Sequence, residues 1–307
     1  MNDITKQLLS LISDFDPETG FTGAFNIRED TGCAGRQNSQ NIEISSKSDK
    51  PGIDIRVKPG TKGETVYIPA CVTHSKVDDL VYNDFFIGEN ADVTIVAGCG
   101  VHTDGEEDAQ HNGIHRFFIG KNARVVYLEK HIGIGEGTGR RIINPQTYAE
   151  LDEGACMEMD TTQIKGVDST NRLTRALCKK DARLIVREKL MTHGTQAAET
   201  SFEVDLNGEN SGADLISRSV ARDHSRQVFR SRINGNVSCT GHSECDAIIM
   251  DSASVSAIPE LTANHVDAAL IHEAAIGKIA GEQLIKLMTL GLTEQEAEAR
   301  IIEGFLK

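Results

Sequence analysis

Apolar residues along this chain follow two rhythms. In Asp3–Phe15, the residues Ile4, Leu8, Leu11, Ile12 and Phe15 recur at three- and four-residue spacing. That spacing predicts an amphipathic helix, stopped by Pro17 and Gly20. Residues from about 19 to 50 are polar with few strand signals, and they predict a loosely structured lead-in. From Ile53 the period becomes two, with Ile53, Ile55 and Val57 alternating with Asp54 and Arg56. Alternating runs with turn residues between them continue to about Ile271, the signature of many short strands.

The strands echo one another. Gly88-Glu89-Asn90-Ala91-Asp92-Val93 returns as Gly120-Lys121-Asn122-Ala123-Arg124-Val125. Weaker copies centre on Ala155, Ala182 and Ala213, so the alanines stand 32, 32, 27 and 31 residues apart. A turn, a small residue and an alternating strand repeated at this period predict stacked coils that bury their cores only against one another. A sandwich of unrelated hairpins is the competing architecture.

After the strands the rhythm turns helical. Ile276, Ile279, Ala280, Leu284, Leu287 and Met288 lie at helical spacing, with Gly291 as the stop. Thr293 and Glu296 then have the spacing of a capping box that opens a second helix ending at Gly304, which leaves Phe305 and Leu306 to dock. Two short helices on a β body serve either to cap its end or to dock a partner. The organisation read from these patterns is an N-terminal helix and lead-in over residues 1–50, a β core over 51–272 and a helical element over 273–307.

Composition narrows the function. The 307-residue chain carries 32 Lys and Arg against 46 Asp and Glu, a net charge of −14, and has no run of basic residues. Such a surface repels phosphate backbones, so nucleic acid is not an expected partner. It also offers no basic cleft for an acidic polysaccharide. Aromatic residues make up only 5% and Trp is absent, while Gly numbers 28, which suits a solenoid better than an enzyme with a deep aromatic pocket. Met1–Phe15 is amphipathic rather than a signal peptide, and no stretch has the apolar length of a membrane span, so a cytoplasmic protein is expected. The seven cysteines form no CxxC pair, and most are expected to be small buried hydrophobes.

Several motifs fall away on inspection. Gly133–Gly139 lacks both the dinucleotide pattern and the Lys-Ser/Thr of a phosphate loop, since Arg140 and Arg141 follow it. It is read as a flexible surface loop, and no nucleotide is expected to bind this chain. His272-Glu273 is not a zinc-protease motif, because position 276 is Ile. No G-x-S-x-G elbow exists. His102, His111 and His115, near Asp104, Glu106, Glu107 and Asp108, are read as part of a solvated loop, with a metal site as the sharper alternative.

Cys245 and His272 are the stronger pair. They stand 27 residues apart, one coil of the echo, which places them on adjacent strands about 4.8 Å apart in the stacking direction. Thiolate, imidazole and the neighbouring Glu273 carboxylate form a donor set that iron or zinc accepts. Glu244 and His265 are lesser candidates. A core cysteine and a hydrogen-bonded histidine remain the plainer alternative.

At these residues the wording resembles a known family. Glu244–Leu261 and His265–Phe305 are similar to the end of SufB/SufD proteins, as are Val81–His102, His131–Pro145 and Ser217–Asn236 earlier in the chain. The resemblance covers essentially everything from about Tyr67 onward. It is to the short, single-scaffold form found beside one ATPase in minimal archaeal and bacterial systems. It implies a right-handed parallel β-helix and a non-enzymatic scaffold on which an iron–sulfur cluster is transiently built. It also implies a SufC-like ABC ATPase docked on the C-terminal helices. Carried over, Cys245 matches the SufB cysteine, Glu273 the SufB glutamate, and His272 stands where SufD supplies a histidine. One chain holding residues that the heterodimer divides points to a homodimer through the late β-helix edge. Ala247 follows Cys245-Asp246 where the pattern has Ser. A cluster-free adaptor of the ATPase is the alternative function.

Overall fold

The structure is a computed structural model that describes residues 1–307 except Asp14 and Pro17. Helix α1 (Asp3–Ile12) follows from its apolar stripe and from the Asn2 side chain, which accepts from the Thr5 backbone N–H at the first turn. The expected stop at Pro17 lies outside the described residues. The helix lies on the β body through Leu8, Leu9 and Ile12, and the strand beneath it is smoothed for close approach. A Cβ at Gly98 would stand 2.5 Å from the Ile12 carbonyl oxygen.

The rest of the chain to Gly277 is mainly β, a parallel solenoid of about eight turns made from two sheets. The first sheet contains β1 (Ala24–Glu29), β2 (Gly32–Gln37), β5 (Lys62–Tyr67), β6 (Ala70–Val72), β8 (Asp92–His102), β10 (Arg124–Ile134), β13 (Cys156–Lys165), β15 (Arg183–Thr192), β17 (Ser211–Ala221), β19 (Cys239–Ile249) and β21 (Ala268–Gly277). The second contains β3 (Ile42–Ser46), β4 (Gly52–Val57), β7 (Asp78–Ile87), β9 (Ala109–Ile119), β11 (Arg141–Ile143), β12 (Gln146–Leu151), β14 (Ser169–Cys178), β16 (Ala197–Leu206), β18 (Arg226–Gly235) and β20 (Ser254–Ala263). From β7 onward the chain passes from one sheet to the other and back, and each strand pairs in parallel with the strand one coil earlier. The lead-in expected to be loose instead forms β1, β2 and β3, with β1–β2 and β3–β4 antiparallel. These strands close the first coil, so Ile42, Ile44, Ile53 and Ile55 are all buried. Polar outward residues hid their alternation in the sequence.

The period is read directly from the register. Asp92, Arg124, Cys156, Arg183, Gly212, Thr240 and Ala269 lie in one column, at spacings of 32, 32, 27, 29, 28 and 29 residues. The residue before each strand of this column carries the small buried side chain of the echo at Ala91, Ala123, Ala155 and Ala182. The fifth copy is out of step. Ala213 pairs with Leu184, and the residue that stacks on Ala182 is Ser211. Immediately ahead stand Asn90, Asn122, Gly154, Asp181 and Asn210, all with positive φ between 53° and 69°. Asn, Asp and Gly tolerate this left-handed conformation at least cost, so one backbone corner is written five times in compatible residues.

The run Gly133–Gly139 is a stacking loop rather than a flexible one. Gly137 and Gly139 donate backbone hydrogen bonds to Thr103 and Gly105 of the preceding coil, both at 3.0 Å, and a Cβ at either would collide with that backbone.

Two helices end the chain. Helix α2 (Gly281–Thr289) starts later than the periodicity suggested, because Ile276 belongs to β21 and Ala280 is the helix N-cap. Helix α3 (Glu294–Phe305) opens with the expected capping box, in which Glu296 accepts from the Thr293 backbone N–H at 2.8 Å. Leu306 and Ile302 dock on Val220 and Ile248 at the solenoid wall. Helix α2 buries none of its residues and leaves Ile285 and Met288 exposed, with Leu290 just beyond it. Among the described residues no helix is long and apolar enough to cross a membrane.

Candidate functional site on the last coils

Alternation decides which side chains meet. On β19, Cys239, Gly241, Ser243, Cys245 and Ala247 point inward, whereas His242, Glu244 and Asp246 are partly exposed on the outer face. Strand β21 pairs with β19 in parallel, with Ser243 opposite His272, Glu244 opposite Glu273 and Cys245 opposite Ala274. Cys245 and His272 therefore share the inner face of adjacent strands, two residues out of register. Glu273 lies on the outer face, because successive side chains of a strand point to opposite sides. In one chain the expected meeting of thiol, imidazole and carboxylate at one edge is thus divided. One coil of separation was the right distance criterion, but it carries no information on parity.

The inner half is closed. Cys245 is 1% exposed and belongs to the main core. Burial pushes its thiol up to about 12, and the nearby Glu188 and Asp246 carboxylates act in the same direction. His272 is half-buried, and its Nδ1 has no hydrogen-bond partner.

The outer half is open and charged. His242 Nδ1 lies 2.8 Å from Asp214 Oδ1, and its Nε2 lies 3.4 Å from Glu273 Oε2. His242, Glu244 and Glu273 each bring one donor atom to within 4.8 Å of the others. The hydrogen bond that the ring donates to Asp214 is the main cause that raises the His242 pKa, and Glu273 adds to it. Burial and the neighbouring Asp246 raise that of Glu244. Of the lesser sequence candidates, Glu244 joins this group. His265 does not; it sits in the turn ahead of β21, where its ring accepts from the Asp267 backbone N–H at 3.1 Å.

A polar column that hydrophobic patterning does not reveal runs inside the solenoid. Asn83 bonds His115 at 3.2 Å, His115 bonds the Tyr127 hydroxyl at 2.8 Å, and Tyr127 donates to Glu129 at 2.9 Å. Arg172 bridges Glu129 to Glu188, whose carboxylate accepts from Thr200 and Ser217 at 2.9 and 2.7 Å. Ser217 is the register partner of Cys245, so the column ends beneath the thiol. All of these side chains are buried. Burial alone would raise the Glu129 pKa, but Arg172 and His131 outweigh it and hold the carboxyl well below its usual range. His115, with no carboxylate in direct contact, is pushed down by burial to about 4 and stays neutral. His111 and His115, read as members of a solvated loop, lie on β9 facing inward, and His111 contacts the Asp79 carboxylate at 2.9 Å. Only the acidic residues around Asp104–Asp108 remain in the loop.

Fold and donor groups together define a class: a parallel β-solenoid that carries a thiol, imidazoles and carboxylates on the two faces of its last coils. Comparison with known proteins supplies the family. Residues 82–305 match the model described as "SUF system FeS cluster assembly, SufBD core domain", and the chain belongs to the SufBD family of iron–sulfur cluster assembly proteins. An iron–sulfur cluster assembly SufBD family protein of Archaeoglobus fulgidus is 30% identical over 267 residues, 86% of this chain and 70% of the relative. Another from Methanothermobacter thermautotrophicus is 29% identical over 260 residues, 83% of this chain and 62% of the relative. One from Methanocaldococcus jannaschii is 28% identical over 268 residues, 86% of this chain and 84% of the relative.

Proposed function

We propose that this chain is a scaffold on which an iron–sulfur cluster is assembled and then released. Cys245 would supply the thiolate that binds iron or accepts sulfur. His272 would act beside it, and Glu273 would add a carboxylate at the rim of the last strand. The observation that carries the reading is the placement of Cys245 and His272 on one face of the final two strands of a sheet, in a member of the SufBD family. Thiolate is the ligand such clusters prefer, and oxygen or nitrogen ligands elsewhere let a cluster leave.

The assembly follows from the same end of the molecule. The last coil is uncovered, with inward Leu261 and Ile276 at 37% and 40% exposure. A second copy meeting it across a two-fold axis would bury these residues and bring two sets of donors together. The exposed apolar residues Ile285, Met288 and Leu290 on and just after α2 suit the docking of an ABC-type ATPase, whose nucleotide cycle would open or close the pairing.

Replacing Cys245 with Ser and reconstituting the protein anaerobically with iron and sulfide tests the ligand. Loss of the visible cluster absorbance is expected, and unchanged absorbance rejects the reading. The burial of Cys245 favours a second reading, an adaptor of the ATPase that holds no cluster, which predicts no absorbance in the wild-type protein either.

A further inference from the structure

The outer face of β19 and β21 has a geometry that the thiol does not explain. Asp214 on β17 accepts a hydrogen bond from His242 Nδ1 at 2.8 Å, which turns Nε2 toward the Glu273 carboxylate at 3.4 Å. A cation, either a second proton on the ring or a metal ion, belongs between Nε2 and that carboxylate. Donor atoms about 2.1 Å from a shared ion lie about 3.0 Å apart in octahedral and about 3.4 Å apart in tetrahedral coordination. The carboxylate of Glu244 completes a third side, within 4.8 Å of both other donors. Counter-charge is scarce: the guanidinium of Arg218 comes no closer to Glu244 than 3.9 Å, too far for a hydrogen bond. The carboxylate–imidazole contact behind the ring is the arrangement that orients histidine ligands in metal sites generally.

We propose that His242 Nε2, Glu244 and Glu273 bind a divalent first-row transition metal ion on the outer face of the last coils, with Asp214 positioning the imidazole. The donor set is nitrogen and oxygen without sulfur, which suits an exchangeable divalent ion. On the scaffold reading above, that ion is iron(II), held one side chain away from Cys245 but on the opposite face. Iron and sulfur then occupy separate faces of the same strand until the last coil rearranges.

Anaerobic titration of the full chain with cobalt(II) tests the site. One cobalt per chain is expected, with weak d–d absorption and without the intense thiolate-to-cobalt charge-transfer band. His242→Ala and Glu273→Gln are expected to weaken binding at least about tenfold, and Asp214→Asn about tenfold through loss of ring orientation. Circular dichroism should remain unchanged, because these side chains are partly or fully exposed. Cys245→Ser should bind cobalt as the wild type does. Absence of binding to the wild type overturns the proposal. So does stoichiometric binding by the triple variant His242→Ala, Glu244→Gln, Glu273→Gln, or a charge-transfer band that Cys245→Ser removes. Reconstitution of Cys245→Ser reports on the scaffold reading independently, so the two ideas fail separately.

Discussion

Reaction of Cys245 with a small disulfide reagent should be slower than that of the exposed Cys33 by at least about fortyfold in the isolated chain. The figure follows from burial. With its pKa raised from 9.0 to about 12, the thiol keeps a thiolate fraction at pH 8 of about one in ten thousand, against about one in ten without the shift. That is a loss of about a thousandfold, or about 4 kcal/mol. A more basic thiolate is intrinsically more nucleophilic, which returns about twenty-five-fold. Ionisation alone thus leaves about fortyfold, and closure of the core around a side chain that is 1% exposed slows the reaction further. The assay is pulse-labelling followed by acid quench and mass spectrometry of each cysteine, with Cys33 as the internal standard. Labelling of Cys245 within a few-fold of Cys33 would refute the reasoning and would mean that the last coil opens freely. If the thiol is a working ligand, assembly with the partners proposed above must accelerate it.

The polar column yields two further predictions. Arg172→Met leaves Glu129 and Glu188 buried without their shared cation and should cost about 3–5 kcal/mol, read as a fall in the denaturation midpoint at constant slope; an unchanged midpoint would show that the charges are already hydrated. Stability should also decline as pH falls from 6.5 toward 4. The unfolded chain protonates His115 in that window and the folded chain does not, so the folded state loses about 3 kcal/mol. Below 4.5 the depressed carboxyl of Glu129 adds to the loss, since its contribution is present above its unfolded value and disappears as pH drops through the folded one. His115→Gln should flatten the upper part of this profile, and a slope unchanged by the substitution would place its origin elsewhere.

Stacking was legible in the sequence because a coil corner recurs in similar residues, and Asn90 and Asn122 lie in the hexapeptides Gly88–Val93 and Gly120–Val125, which share four of six residues. It became illegible where the corner is built differently. Ser211 replaces the alanine of the echo, and Ala213 two residues later mimicked it. The polar column was hidden because apolar and polar residues exchange their customary sides. On β10, Leu128 faces outward at 39% exposure while Glu129 faces inward at 3%. Hydrophobicity alone assigns those two faces backwards, and only the neighbouring Val125 and Tyr127 set the parity. The same parity separates His272 from Glu273. His242 escaped notice because its partners, Asp214 and Glu273, lie 28 and 31 residues away, and neither interval is apparent without the register.

The solenoid is finished differently at its two ends, and this limits how many copies can join. Antiparallel strands and buried isoleucines terminate the first coil, whereas the last coil ends on bare β20 and β21. A rod whose apolar interior is uncovered at its last coil offers that face to a second copy, and when two such rods meet tip to tip each covers the other's exposed Leu261 and Ile276. Fibre growth, the usual hazard of an unprotected parallel stack, is opposed at this tip by such a pairing and by Pro259 and Glu260 within β20.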